Sequence, residues 1–185
     1  LWPKPKVMIF NFPHNPTTAT VDIAFFEEIV DFARRQGIIV IHDMAYSDIV
    51  FDGYQAPSLL QVKGAKEVGV EFYTMSKSYN MAGWRVGFCL GNPEVISALR
   101  TIKHYYDYGV FTPSQIAAVA ALDGPQDCVQ QAAETYRSRR NTLVEGLDRI
   151  GWPVPLPKAS MFVWAAIPDK HRHMGSMKFA LKLME

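Results

Sequence analysis

A lysine with a hydroxyl residue on either side, Ser76-Lys77-Ser78, is followed along the chain by Gly83-Trp84-Arg85. A lysine amine can condense with an aldehyde or ketone to form a Schiff base. A guanidinium presents a flat pair of N–H donors that matches a phosphate. Thr74 and Ser76 add hydroxyl donors to the same stretch. Upstream, Asp43 and Tyr46 stand three residues apart, a carboxylate able to pair with a cation and a phenol able to donate or accept, and Asn15 in Asn15-Pro16-Thr17 adds an amide. Each residue has a plainer reading when taken alone. A lone lysine is usually solvated, Asp43 could cap a helix, and Asn15-Pro16 is a common turn. Tyr46 could be a core aromatic, and Arg85 could pair with a carboxylate across a sheet.

What raises these groups above the plain readings is the pattern of elements that precedes each of them. Lys6–Asn11 is a short apolar run ending in turn chemistry, which predicts a buried strand. Ile23, Phe26, Ile29, Val30 and Ala33 recur at helical spacing between Asp22 and Gln36, and Gly37 punctuates the end. Ile38–Ile41 is rich in β-branched residues and ends at His42-Asp43. Strand, helix and continuously apolar strand predict a parallel sheet covered on both faces. Further strands are expected over Val70–Met75 and Arg85–Leu90, and helices over Pro93–Tyr106, Pro113–Leu122 and Cys128–Ile150. In a parallel sheet ligands bind beyond the carboxyl ends of the strands. Three strand ends in a row deliver an amide, then a carboxylate with a phenol, then a lysine among hydroxyls.

The run Gly151-Trp152-Pro153-Val154-Pro155-Leu156-Pro157 breaks the last long helix. Beyond it, Met161–Ile167 reads as a strand of a different sheet and Ser176–Glu185 as a helix. The expected division is therefore a large domain over residues 1–145 and the start of a smaller α+β domain over 146–185. The chain opens at Leu1-Trp2-Pro3 without an initiator Met and closes inside a helical pattern, which predicts a portion of a longer protein.

The 185 residues carry 19 Lys+Arg against 18 Asp+Glu, a net charge of +1, so there is no electrostatic footprint for nucleic acid. At 49% hydrophobic and 20% charged the composition is that of an ordinary globular protein, not a disordered or disulfide-stapled one. No apolar run is long enough to span a membrane, and a cytoplasmic location is the default. Cys89 and Cys128 lack redox or zinc spacing, and Cys89 reads as a buried structural thiol. His171-Arg172-His173 reads as a solvated loop, not a metal site; His14 and His42 read as packing or supporting groups. Met75, Met81 and Met161 read as core fillers or site lining.

Taken in order, Asn15-Pro16-Thr17, Asp43-x-x-Tyr46 and Ser76-Lys77-Ser78-Tyr79-Asn80-Met81-Ala82-Gly83-Trp84-Arg85 resemble the motifs of the fold-type I pyridoxal-phosphate aminotransferases of classes I and II, nearest the branch of alanine and LL-diaminopimelate aminotransferases. The resemblance covers nearly the whole chain. It implies a three-layer α/β/α fold with a mostly parallel sheet, pyridoxal 5'-phosphate as cofactor, and amino-group transfer between an amino acid and a 2-oxo acid. It gives Lys77 the Schiff base and the proton shuttle, Asp43 the pyridine nitrogen, and Tyr46 and Asn15 the ring's phenolic oxygen. Thr74, Ser76 and Arg85 would hold the phosphate, with Gly83 and Gly87 letting the backbone pass close to it. Thr18 departs from the family, which usually has Gly there, and Thr74 stands where Ser is more common. The resemblance also implies a homodimer, with the Tyr108–Ser114 segment approaching the neighbour's cofactor. A phosphate loop, a stacking aromatic and the arginine for the substrate carboxylate would lie outside these residues. A lyase or synthase on the same cofactor, or a catalytically incompetent binding module, are the alternatives.

Overall fold

Four strands form a mixed sheet in the order β1-β2-β3-β4 in a computed structural model that describes residues 3–185. Leu1 and Trp2 lie outside the described residues. Strands β1 (Val7–Asn11), β2 (Ile39–Asp43) and β3 (Gly69–Thr74) run parallel, with Asn11 beside Asp43 and Asp43 beside Phe72. Strand β4 (Gly87–Gly91) is antiparallel to β3, with Gly87 opposite Thr74.

Helix α1 (Ile23–Gln36) crosses over from β1 to β2. The Asp22 side chain accepts from the Phe25 N–H at 3.1 Å at its start, and Gly37 ends it in the left-handed conformation at φ 60°. Its Phe26, Val30 and Ala33 are buried against Val40, Leu59, Ala65 and Val68, with Met8 and Phe10 packed alongside. Ala65 and Val68 belong to the single turn α2 (Ala65–Val68), which precedes β3. The short helix α3 (Met75–Ser78) follows β3 directly, so Met75 starts a helix instead of ending the strand. A 3₁₀ turn over Ala82–Trp84 then leads to Arg85, whose φ of 54° is left-handed, and the ladder resumes at Gly87. The expected strand start at Arg85 is thus displaced, because a residue in that conformation cannot join an extended ladder.

Helix α4 (Pro93–Tyr106) has the expected bounds, with Asn92 accepting from the Glu94 and Val95 N–H groups at 3.0 Å. Its Leu99 and Lys103 stand across the second face of the sheet from Asp43, Phe72 and Cys89, around a cavity of about 360 Å³. That face is open over β1, where Ile9 is 71% exposed. Cys89 is half-buried on this face, not fully enclosed as expected, and burial pushes its thiol up. Met75 and Met81 pack with Val86 and with Ala118 of α5 (Thr112–Asp123). Helix α6 (Asp127–Arg149) runs unbroken, and the buried Arg140 joins it to Asp52 and to the Pro157 carbonyl at 2.6 and 2.7 Å.

The strand expected over Met161–Ile167 is not formed. Those residues have no ladder, and the nearest pairing is the isolated bridge Val50–Ala159. An extended run becomes a strand only when a neighbour takes up its backbone groups. The chain closes with a 3₁₀ turn over Asp169–Met174, where His171 packs on Phe179 at 5.4 Å, and with α7 (Gly175–Met184).

Gly87 and Gly83 differ in what their missing side chains serve. A Cβ on Gly87 would lie 2.6 Å from the Tyr73 carbonyl oxygen, so the close β3–β4 ladder requires a glycine here. Nothing lies within 4 Å of the corresponding point on Gly83. In denaturant titrations of the full-length protein, Gly87→Ala is expected to lose about 1–3 kcal/mol, and Gly83→Ala to stay within about 0.5 kcal/mol of the parent.

Candidate active site

Three consecutive strand ends supply the site. The chain leaves β1 at Asn11, whose amide donates to the Asp43 carbonyl at 3.0 Å and whose side-chain oxygen accepts from the Asn15 N–H at 2.8 Å. These bonds fold the loop back so that the Asn15 amide donates to the Tyr46 hydroxyl at 3.3 Å. Within the same loop the Phe12–Pro13 and Asn15–Pro16 peptides are cis, and the His14 ring meets the Thr17 hydroxyl at 2.7 Å.

Asp43 ends β2, and its carboxylate accepts from the Ala45 N–H at 3.1 Å, which turns the chain and brings Tyr46 inward. Tyr46 is buried with its ring edge against Phe162, 5.7 Å between centroids. Burial pushes its hydroxyl up; the Asn15 bond opposes this, and the nearby Asp43 charge adds to it. The phenol therefore keeps its proton through neutral pH and can donate to an acceptor. Lys77 on α3 sets its ammonium 5.8 Å from the centroid of the Tyr46 ring, a cation over an aromatic face.

Thr74 ends β3, caps α3 by accepting from the Ser76 N–H at 3.1 Å, and donates to the Ser76 hydroxyl at 2.9 Å. Arg85 donates to the Ala82 carbonyl at 2.9 Å, and its side chain is exposed at the rim of the cavity that Asp43 and Thr74 also line. The structure thus gathers the expected residues into two neighbouring groups. Asn15 and Lys77 each approach Tyr46, while Asp43, Thr74 and Arg85 share the cavity wall.

Supporting residues outside the sequence motifs complete the site. Asp48 accepts from Ser78 and Tyr73 on one oxygen, at 2.5 and 2.6 Å. The fully buried His42 bridges the Glu71 carboxylate at 2.8 Å and the Phe12 carbonyl at 3.1 Å. Glu71 also accepts from the Ser58 hydroxyl and the Leu59 N–H, both at 2.7 Å. Alternation along β2 puts His42 on the face opposite Asp43, which was the one signal for its burial; nothing local distinguishes Asp48 or Glu71.

A lysine, a carboxylate and phosphate-type donors collected at the carboxyl ends of parallel strands define an α/β protein with the ligand-site placement of open parallel sheets. The family of aminotransferase class I and II matches residues 2–185, and the chain belongs to that family. It is 57% identical over 183 residues to the glutamate-pyruvate aminotransferase AlaC of Escherichia coli K12, covering 99% of this chain and 44% of the relative. It is 48% identical to the LL-diaminopimelate aminotransferase of Moorella thermoacetica, covering 97% of this chain and 45% of that one. Among solved structures, substrate-bound BacF from Bacillus subtilis superimposes with a TM-score of 0.91 at 36% identity, over 97% of this chain and 45% of its own. The chain therefore spans less than half the length of these relatives.

Thr18 is held at φ 62°, in the left-handed region, by the Thr18 N–H donating to the His14 carbonyl at 2.9 Å. A β-branched residue there costs roughly 1–2 kcal/mol, of which glycine's greater unfolded-state freedom would return part. Thr18→Gly is expected to raise the stability of the full-length protein by about 0.5–1 kcal/mol, measured by denaturant unfolding.

Proposed function

We propose that the full-length protein transfers an amino group between an amino acid and a 2-oxo acid with pyridoxal phosphate as cofactor. The observation that carries this reading is the convergence of Asn15 and Lys77 on Tyr46, each of the three from a different strand end. The relatives support it, since amino-group transfer is common to the names of the Escherichia coli and Moorella enzymes. The donor set suits the cofactor's three kinds of polar group. There is a carboxylate for a protonated ring nitrogen, a phenol and an amide for a phenolic oxygen, and hydroxyls with a guanidinium for a phosphate. Bound there, pyridoxal phosphate supplies an electron sink for the electron pair left when an amino acid loses its Cα proton.

The chain's own residues do the rest. Asp43 pairs with the ring nitrogen and keeps it charged. The Tyr46 hydroxyl, protonated at neutral pH, and the Asn15 amide donate to the phenolic oxygen and fix the ring's rotation. Thr74 and Ser76 would donate to the phosphate, and Arg85, whose guanidinium now donates to the Ala82 carbonyl, would supply it with a charged donor pair. Lys77 would hold the cofactor, and its freed amine would carry a proton at Nζ from the substrate Cα to the cofactor carbon.

Residues 1–145 form part of the cofactor domain in this reading, and 146–185 begin a smaller one. The segment from Tyr108 to Ser114, with Tyr108 87% and Phe111 74% exposed, faces a second copy of the chain in a homodimer.

With pyridoxal phosphate added to the full-length protein, a pH-dependent visible absorption band should form and be lost in Lys77→Ala; its survival would overturn the assignment. Asp43→Ala should lower kcat by about 10²-fold or more with the fold intact by circular dichroism. Arg85→Ala should weaken cofactor binding about 10- to 100-fold in a fluorescence titration, the loss of a charge-assisted contact.

A further inference from the structure

We propose that Asp48 is a positioning residue for the lysine chemistry. Its carboxylate ties the turn that carries Tyr46 to the helix that carries Lys77, and so sets where the lysine amine stands over the tyrosine ring. The inference rests on the transamination reading above and deepens it.

The β2–β3 ladder continues beyond Asp43 only to the Met44 N–H, which donates to the Phe72 carbonyl at 3.0 Å. Past that point the two chains diverge, one into the turn leading to Tyr46 and Asp48, the other through Thr74 into α3. Helix α3 has four residues, a single turn, and a single turn has little stability of its own. Its position must come from tertiary anchors at its two ends. At the first, Met75 is 0% exposed in the apolar cluster with Met81 and Val86. At the second, Ser78 is 0% exposed, and its hydroxyl donates to Asp48 Oδ2 at 2.5 Å. Tyr73, the penultimate residue of β3, donates to the same oxygen at 2.6 Å. Asp48 thus holds β3 and α3 together from a turn that belongs to β2.

The neighbours fix the meaning of this contact. Ser78 is adjacent to Lys77, and Asp48 lies two residues beyond Tyr46, so the Asp48–Ser78 bond joins the immediate neighbourhoods of the two chemical groups. Burial, reinforced by the bond to Asp48, pushes the Tyr73 hydroxyl far up, so it remains a donor at any pH at which the enzyme would work. A catalytic group misplaced by about 1 Å can lose about 10²-fold in rate while binding survives. That is the signature expected when this link is cut.

The test uses the full-length protein loaded with pyridoxal phosphate. Asp48→Ala should lower kcat about 10- to 100-fold, leave KM for the amino donor within about twofold, and move the pH midpoint of the visible band. Asp48→Asn, which keeps an acceptor oxygen in place, should recover part of the rate. Ser78→Ala should show the same kind of loss, smaller, and should add nothing in the Asp48→Ala background, as expected of groups acting as one unit. Should Asp48→Ala not fold, the double variant Tyr73→Phe with Ser78→Ala removes both donors without touching the turn. Unchanged kcat and band in these variants, or losses that multiply in full, would overturn the proposal. A band kept in Lys77→Ala would defeat the functional reading itself; a band lost there but unaltered in Asp48→Ala defeats the role of Asp48 alone.

Discussion

Everything at the site hangs on a buried polar pair that locks three strands together at their working ends. His42, with no exposed surface, reaches the Phe12 carbonyl with one ring nitrogen and Glu71 with the other. A carbonyl can only accept, so Nε2 carries a hydrogen, and the contact between Nδ1 and Glu71 shares another. Glu71 in turn takes the Ser58 hydroxyl and the Leu59 N–H, so both of its oxygens are engaged within the protein. A buried polar group survives in a core only when its partners are complete. Removing one partner and leaving the other buried and unsatisfied costs about 1–3 kcal/mol. This pair therefore specifies one arrangement of β1, β2 and β3, and the loops that leave them inherit it.

The division of labour between the two faces follows from strand alternation. On β2, Val40 and His42 face the α1 side, while Ile41 and Asp43 face the side of α4. One face is dry and fastened, the other open to a cavity where a carboxylate can meet a ligand. The same alternation on β3 sends Glu71 and Tyr73 to the fastened side and Thr74 to the cavity. Rigidity and chemistry occupy the two sides of the same strands.

Much of this was legible in the residue pattern because its cues are local. Helix α4 has its expected bounds because Asn92-Pro93 is a complete start signal, a cap followed by a proline at the first helical position. The strand ends preceding Asn15, Asp43 and Lys77 were readable from apolar runs that stop at polar residues. Where expectation and structure part, the deciding factor is not local. The start of β4 moved from Arg85 to Gly87 because a left-handed residue closes the preceding turn. Met161–Ile167 has a strand's composition but pairs with no other strand among the described residues. The need for Gly87 is set by the carbonyl of Tyr73 across the ladder, a contact no local pattern announces.

By itself the sequence determined the order of elements, the strand ends at which the chemistry collects, and the identity of the groups that meet there, since residue type and periodicity are properties of short stretches. Only the tertiary structure decided how those groups are held. Asp48 has no motif, and Glu71 sits unremarked in the middle of a strand. Their importance comes from hydrogen bonds to residues distant in sequence, and such bonds exist only once the strands are side by side.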